Sequence, residues 1–226
     1  MQIACAAVLF DLDGVLVDSR VVIRRHWTRW AQQQGLDIDQ VLVVAHGRRP
    51  ADTVRLLLPW ADDPDKLAAG IVQGEASDAE GMLRLPGAQE LINCLPVGKW
   101  TVATSGPRAI AQFRLKFAGI PWLPTHITAE DVVHGKPDPE PYLAAAARLM
   151  VSAEKCVVIE DAPAGVQAGV AAGCQVIALT TTHSASELLA AGATVITEHL
   201  GCISARLDAA QVGIQLMVHP LPDAWA

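Results

Sequence analysis

The chain has 226 residues, 51% hydrophobic and 18% charged, with a formal net charge of −7. That composition supports a sizeable core and excludes a disordered chain. With no block of Lys or Arg, it also argues against nucleic acid as a partner, because phosphate backbones require clustered cations.

From the N-terminus, residues 4–10 make an apolar run of strand length that stops at Asp11. Asp13, Gly14 and Asp18 follow within the stretch "DLDGVLVDS". Two acids at a strand end either cap a turn or flank something positive. No Lys or Arg precedes this run, which is the wrong pattern for a signal peptide. No run approaches the roughly 18 apolar residues of a membrane span. A soluble, cytoplasmic, monomeric protein with no membrane partner is expected.

Residues 20–84 carry helix signals and no convincing buried strand. "VVIRRHWTRWAQQQG" spaces its apolar residues for one amphipathic helix ending at Gly35. Trp27 and Trp30, three apart on that helix, are read as core. "DQVLVVAHG", "PADTVRLLL" and "DPDKLAAGIVQGEASDAEG" suggest three more helices.

Beyond residue 84 a regular alternation begins. Helices are predicted at 86–95, 107–118, 139–151, 163–173 and 184–191, and strands at 100–105, 156–161, 175–181 and 193–197. Pro86 and Pro107 suit helix starts, and Gly119 and Gly173 suit helix ends. Strand and helix in alternation predict an α/β fold, a Rossmann-like parallel sheet covered on both faces. The expected division is a core of residues 1–19 and 85–226 with an inserted α-helical cap at 20–84. The tail from about 199 to 226 yields no element. The five cysteines form no C-x-x-C pair and read as free thiols in a reducing compartment. The seven histidines show no zinc spacing.

In parallel α/β sheets, ligands bind beyond the carboxyl ends of the strands. Here those ends read Asp11 and Asp13, then Thr104-Ser105-Gly106, then Glu160-Asp161, and a nearby loop brings Lys136. Each alone has an ordinary explanation as a turn, a helix start or a solvated lysine. Together they bring four carboxylates to one edge of the sheet, which costs free energy unless a cation joins them. Oxygen-rich acidic sites suit Mg²⁺ with a substrate phosphate. Thr104 and the neighbouring amides are candidate donors to phosphate oxygens.

Four motifs in this order, "DLDGVLVDS", "ATSG", "GKPDPEPY" and "VVIEDAPAGVQAGVAAG", resemble those of the haloacid dehalogenase superfamily, in its phosphatase branch with a helical cap. "AHGRR", "EASDAEGMLRLPGA" and "EDAPAGV" narrow the likeness to small sugar and polyol phosphatases: hexitol-phosphate, 2-deoxyglucose-6-phosphate and glycerol-phosphate phosphatases. The resemblance implies Asp11 as nucleophile and Asp13 as general acid and base, with its carbonyl also on the metal. It implies Asp11 and Asp161 as side-chain Mg²⁺ ligands, Glu160 assisting directly or through water, Thr104 and Ser105-Gly106 on the phosphoryl group, and Lys136 bridging nucleophile and phosphate. A phosphate dianion among four carboxylates leaves negative charge that Mg²⁺ and Lys136 do not offset, so one carboxyl carries a proton. In the cap, His46, Arg48 and Arg49 form either a solvated basic turn or contacts to substrate. Glu80 near the return hinge is a candidate partner for a polyol hydroxyl.

Three rivals remain. Dehalogenases of this fold lack the second acid, so Asp13 argues against them. A mutase similar to β-phosphoglucomutase would use the same core, but its relatives commonly carry a cap histidine a few residues after the "DS" step; here that region reads Arg20-Val21-Val22-Ile23, with His26 further along. A non-catalytic sugar-phosphate-binding protein would have no need of Asp13 as acid and base.

Overall fold

The structure, a computed structural model, describes residues 1–45, 47–208 and 213–221. Its centre is a five-stranded sheet. The strands are β2 (Ala7–Phe10), β5 (Trp100–Val102), β6 (Cys156–Glu160), β7 (Gln175–Leu179) and β8 (Val195–Thr197), in the order β5-β2-β6-β7-β8 and all parallel. Every residue of β2 is buried, because helices cover both faces. Val8 and Phe10 pack with α5 (Ala88–Cys94) and α6 (Arg108–Ala118). Ala7 and Leu9 face the opposite way, against α7 (Glu140–Arg148) and α8 (Pro163–Ala171). A period of two thus divides one short strand between two apolar layers. α9 (Ala185–Ala190) joins the second layer through Leu188.

The predicted helices of this region are all present, each trimmed by a residue or more. Gly119 ends α6 in the left-handed conformation at φ 73, where its N–H reaches the carbonyls of Leu115 and Lys116.

Two features differ from the sequence reading. The run 4–10 is two strands, not one. Ala6 separates β2 from β1 (Gln2–Cys5), whose burial alternates. The tail also carries structure. β9 (Ile203–Leu207) and β10 (Ile214–Val218) form an antiparallel sheet with β1, in the order β1-β10-β9. Half-buried strands carry an alternating signal, which "ISARL" and "IQLMV" show only over five residues each.

Residues 20–75 form four helices: α1 (Arg20–Gln34), α2 (Ile38–Ala45), α3 (Pro50–Leu57) and α4 (Pro64–Glu75). They share an apolar cluster of their own, built on Trp27, Trp30, Val41, Val54, Ala68 and Ile71. Trp27 and Trp30 meet edge to face with ring centroids 5.4 Å apart, a favourable aromatic geometry. The chain leaves and re-enters the core through a two-stranded ribbon, β3 (Val17–Asp18) against β4 (Leu83–Arg84). Two residues per strand are too few to read from sequence. Among the described residues, no helix is long and apolar enough to cross a membrane.

Candidate active site

β2, β5 and β6 run in the same direction, so their carboxyl ends share one edge of the sheet. Asp11 follows β2, and its N–H donates to the carbonyl of Ile159 in β6 at 3.0 Å. Asp11, Glu160 and Asp161 are all buried, and one oxygen of each lies within 4.8 Å of the others. Lys136 is buried among them. Its Nζ donates to Asp11 Oδ1 at 2.5 Å, Glu160 Oε1 at 2.7 Å and the carbonyl of Ala103 at 3.0 Å.

These contacts give each group a distinct charge state. Burial pushes Asp11 up to about 7 against the pull of Lys136, and the carboxylates of Glu160 and Asp13 add to the rise. Burial, with Glu160 and Asp11 close by, raises Asp161 well above the usual carboxylate range. Burial raises Glu160 too, but Lys136, Tyr142 and the Asp161 amide outweigh it and hold its carboxyl below the usual value. Burial disfavours the Lys136 ammonium, yet Asp11 and Glu160 more than compensate.

Glu160 spends both oxygens on protein donors. Lys136 and the Tyr142 hydroxyl, at 2.7 Å, meet Oε1, while the amides of Asp161 and Ala162 meet Oε2 at 2.9 and 3.2 Å. The helix that follows must come close: a Cβ on Gly165 would lie 1.7 Å from Glu160 Oε1. Asp161 is held by the hydroxyl of Thr182. Gly14 leaves room for it, since a Cβ there would sit 2.0 Å from Asp161 Oδ2, and its φ of +79 suits glycine alone.

The donor set fits a hard divalent cation. Three buried carboxylates face one ammonium, and burial first, with the neighbouring carboxylates adding to it, lifts Asp11 and Asp161. All the candidate ligand atoms are oxygens, as Mg²⁺ requires.

Asp13 lies one turn from this cluster and lines a cleft between the sheet edge and the four-helix insert. Thr104, Ser105, Gly106 and Asp161 line the same cleft from the core, and Arg20, Ile23, Trp27, Arg48 and Glu75 from the insert. Thr104 Oγ1 accepts from the Gly106 amide at 3.0 Å, which turns the loop after β5. The Ser105 hydroxyl donates to the Gly47 carbonyl at 2.7 Å and so ties that loop to the insert.

The sequence-predicted insert residues separate. Arg48 lines the cleft. Arg49 does not; its Nε donates to Asp52 at 2.5 Å and its NH1 to the Val132 carbonyl at 3.3 Å, so it clamps the insert to the loop before Lys136. Glu80 lies outside the cleft with its side chain 88% exposed, near Arg25. Its position beside the return ribbon points it to solvent. His46 lies outside the described residues.

Two buried charged residues of the cleft were not singled out from the sequence. Arg114 of α6 is 2% exposed, and Glu75 of α4 is 4% exposed. The guanidinium donates to Asp13 Oδ2 at 2.6 Å and to Glu75 Oε2 at 2.5 Å. Burial raises the Glu75 carboxyl above its usual value although Arg114 opposes it. A signal existed. Arg114 stands among Ile110, Ala111, Leu115 and Ala118, and Glu75 follows Ala68 and Ile71, so each is a charge on an otherwise apolar helix face.

The sequence profile of the haloacid dehalogenase-like hydrolases matches residues 5–173. The chain belongs to this family. Among curated relatives, hexitol phosphatase A of Escherichia coli is 41% identical over 179 residues, spanning 77% of this chain and 83% of that protein. Glycerol-1-phosphate phosphohydrolase 2 of Saccharomyces cerevisiae is 38% identical over 207 residues, spanning 85% and 82%. A hydrolase from Pseudomonas syringae, solved by crystallography, superposes with a TM-score of 0.77 at 27% identity, covering 87% of this chain and 94% of its own. As a haloacid dehalogenase-like hydrolase with an insert after its first acidic turn, the chain has its cleft where parallel α/β sheets bind ligands.

Proposed function

We propose that the chain is a Mg²⁺-dependent phosphatase of small sugar or polyol phosphates, working through an aspartyl phosphate on Asp11. The observation that carries this is the buried set of Asp11, Glu160 and Asp161 around Lys136, with Asp13 facing the cleft beside it.

Asp11 attacks phosphorus. Lys136 holds its Oδ1, which leaves Oδ2 to form the bond. Asp13 protonates the departing sugar oxygen and then takes a proton from the water that cleaves the aspartyl phosphate. The Thr104 hydroxyl and the Ser105 amide orient the phosphoryl oxygens, and the Gly106 amide, bonded to Thr104 Oγ1, shapes the loop that presents them. Asp11, Asp161 and the Asp13 carbonyl would hold Mg²⁺, while Glu160, whose two oxygens already accept four protein hydrogen bonds, would support the site by holding Lys136 in place. Bound Mg²⁺ supplies positive charge that neutralises the carboxylates and the transferring phosphoryl group. The insert, a cap of residues 20–84, excludes water and brings Arg48 and Trp27 to the substrate. Arg49 and Glu80 have no part in this cleft. The expected setting is a monomer in the cytoplasm, with free thiols at all five cysteines.

The mutase reading gains no support, since His26 is bonded to Asp78 and does not line the cleft. The test is phosphate release from a panel of sugar and polyol phosphates with Mg²⁺. Turnover should vanish with chelator and fall at least about 10³-fold in Asp11→Asn, which should fold normally. Hydrolysis that persists in Asp11→Asn sinks the nucleophile assignment. A hexose 1-phosphate converted to its 6-phosphate with no free phosphate released would establish the mutase instead.

A further inference from the structure

Arg114 is a buried charge on the inner face of α6. A guanidinium on the inner face of a helix must be matched by acceptors, and here the matching is incomplete. NH1 meets Asp13, NH2 meets Glu75, and Nε is buried without a hydrogen-bond partner among the described residues. The group's orientation therefore rests on two carboxylates from two different parts of the molecule. Asp13 belongs to the turn after β2, and Glu75 to the last turn of α4 in the insert.

The other side of Asp13 is held as well. The Ser19 hydroxyl, next to the ribbon that leads into the insert, donates to Oδ1 at 2.5 Å. Arg114 occupies Oδ2 with a charge-assisted bond. A carboxyl that must give up a proton needs one oxygen free to carry it. Arginine cannot accept, so Oδ2 is committed; a hydroxyl can turn and accept, so Oδ1 is the oxygen that can bear the proton.

We infer that Arg114 is a positioning residue for the acid and base Asp13, and that Glu75 of the insert fixes Arg114 in that role. Arg114 pins the carboxylate plane and reserves Oδ1 for proton transfer. Glu75 completes the guanidinium's second edge only when the insert lies on the core, so a docked insert aligns the acid. This rests on the phosphatase reading above.

The experiment uses Glu75→Gln, which keeps an acceptor for Arg114 but loses the charge, and Arg114→Lys, which keeps the charge but cannot span both partners. Each is assayed on an alkyl phosphate, whose leaving oxygen requires a proton, and in single turnover on p-nitrophenyl phosphate, whose leaving group does not. Both variants should lose at least about tenfold in kcat on the alkyl ester with KM changed less than about threefold, and release the first equivalent of nitrophenol within about twofold of the parent rate. Equal losses on both esters would reduce Arg114 and Glu75 to structural roles and overturn the inference. A rise in KM alone would make Glu75 a substrate contact, which also overturns it. Asp11→Asn runs alongside: if it remains active, the phosphatase reading has failed, and the fault is not with Arg114.

Discussion

His126 shows how one buried side chain can set a pH limit. It is 2% exposed, lies between the rings of Trp100 and Trp122, and accepts from the Val102 amide through Nδ1 at 3.1 Å. Its Nε2–H faces the Pro121 carbonyl at 3.3 Å. The neutral ring with its proton on Nε2 satisfies both; a second proton would set N–H against N–H. Burial accordingly lowers its pKa to about 4 from 6.5. The unfolded chain binds this proton below about 6.5, and the native chain does so only near 4. The stability is therefore complete above 6.5 and is lost as pH falls through that window. At about pH 5 the loss should be roughly 2 kcal/mol. Urea unfolding of the parent and of His126→Asn, whose amide oxygen can accept without titrating, should show this slope in the parent and not in the variant. Equal slopes would remove His126 as the cause.

At the scale of elements, the unexpected one is the antiparallel sheet that joins both chain ends. β1 runs beside β10, and Ile3, Ile214, Leu216, Val218 and Ile203 enter the same apolar layer as Val8 and Phe10. Each such side chain contributes about 1.5–3 kcal/mol on burial. Removing β9 and β10 by truncation after residue 200 strips four of them, a loss comparable to the roughly 5–15 kcal/mol of a whole domain. The truncated chain should give no cooperative thermal transition by circular dichroism. A transition close to that of the full chain would mean that this sheet is an accessory. The insert depends on equally close packing: a Cβ on Gly74 would lie 2.3 Å from the His26 ring, so α1 and α4 meet there backbone to ring.

Across the whole molecule, the buried acidic cluster links proton binding to stability, and on the proposed reading links both to Mg²⁺. Without a cation, Asp11 rises from 3.8 to about 7, so the native state holds a proton that the unfolded chain has released. Metal-free stability then falls as pH rises through that interval, opposite in sign to the His126 effect. On the proposed reading, excess Mg²⁺ would favour the ionised carboxylates and bind the native state in preference to the unfolded chain. The increase in Tm on adding Mg²⁺ should accordingly be larger near pH 8 than near pH 5.5, and Asp161→Asn should shrink it. A shift independent of pH, or none, would refute this linkage.

The strands and helices of the central sheet were legible because buried parallel strands appear as unbroken apolar runs and their helices as periodic ones, with Pro and Gly at the borders. The placing of Asp11, Thr104, Glu160 and Asp161 together was legible because parallel topology puts the ends of separate strands on one edge, whereas Lys136 reaches them from a loop. Sequence alone determined this much: the α/β core, the four-helix insert, and which polar groups stand at the strand ends. Only the tertiary structure decided that Arg48 reaches the cleft while Arg49 binds Asp52, that Glu80 faces solvent, and that Arg114 joins Asp13 to Glu75. The physical reason is range. Strand and helix signals lie within a few neighbouring residues, whereas an ion pair between Asp13 and Arg114 spans 101 positions and forms only where two packed layers and an insert converge.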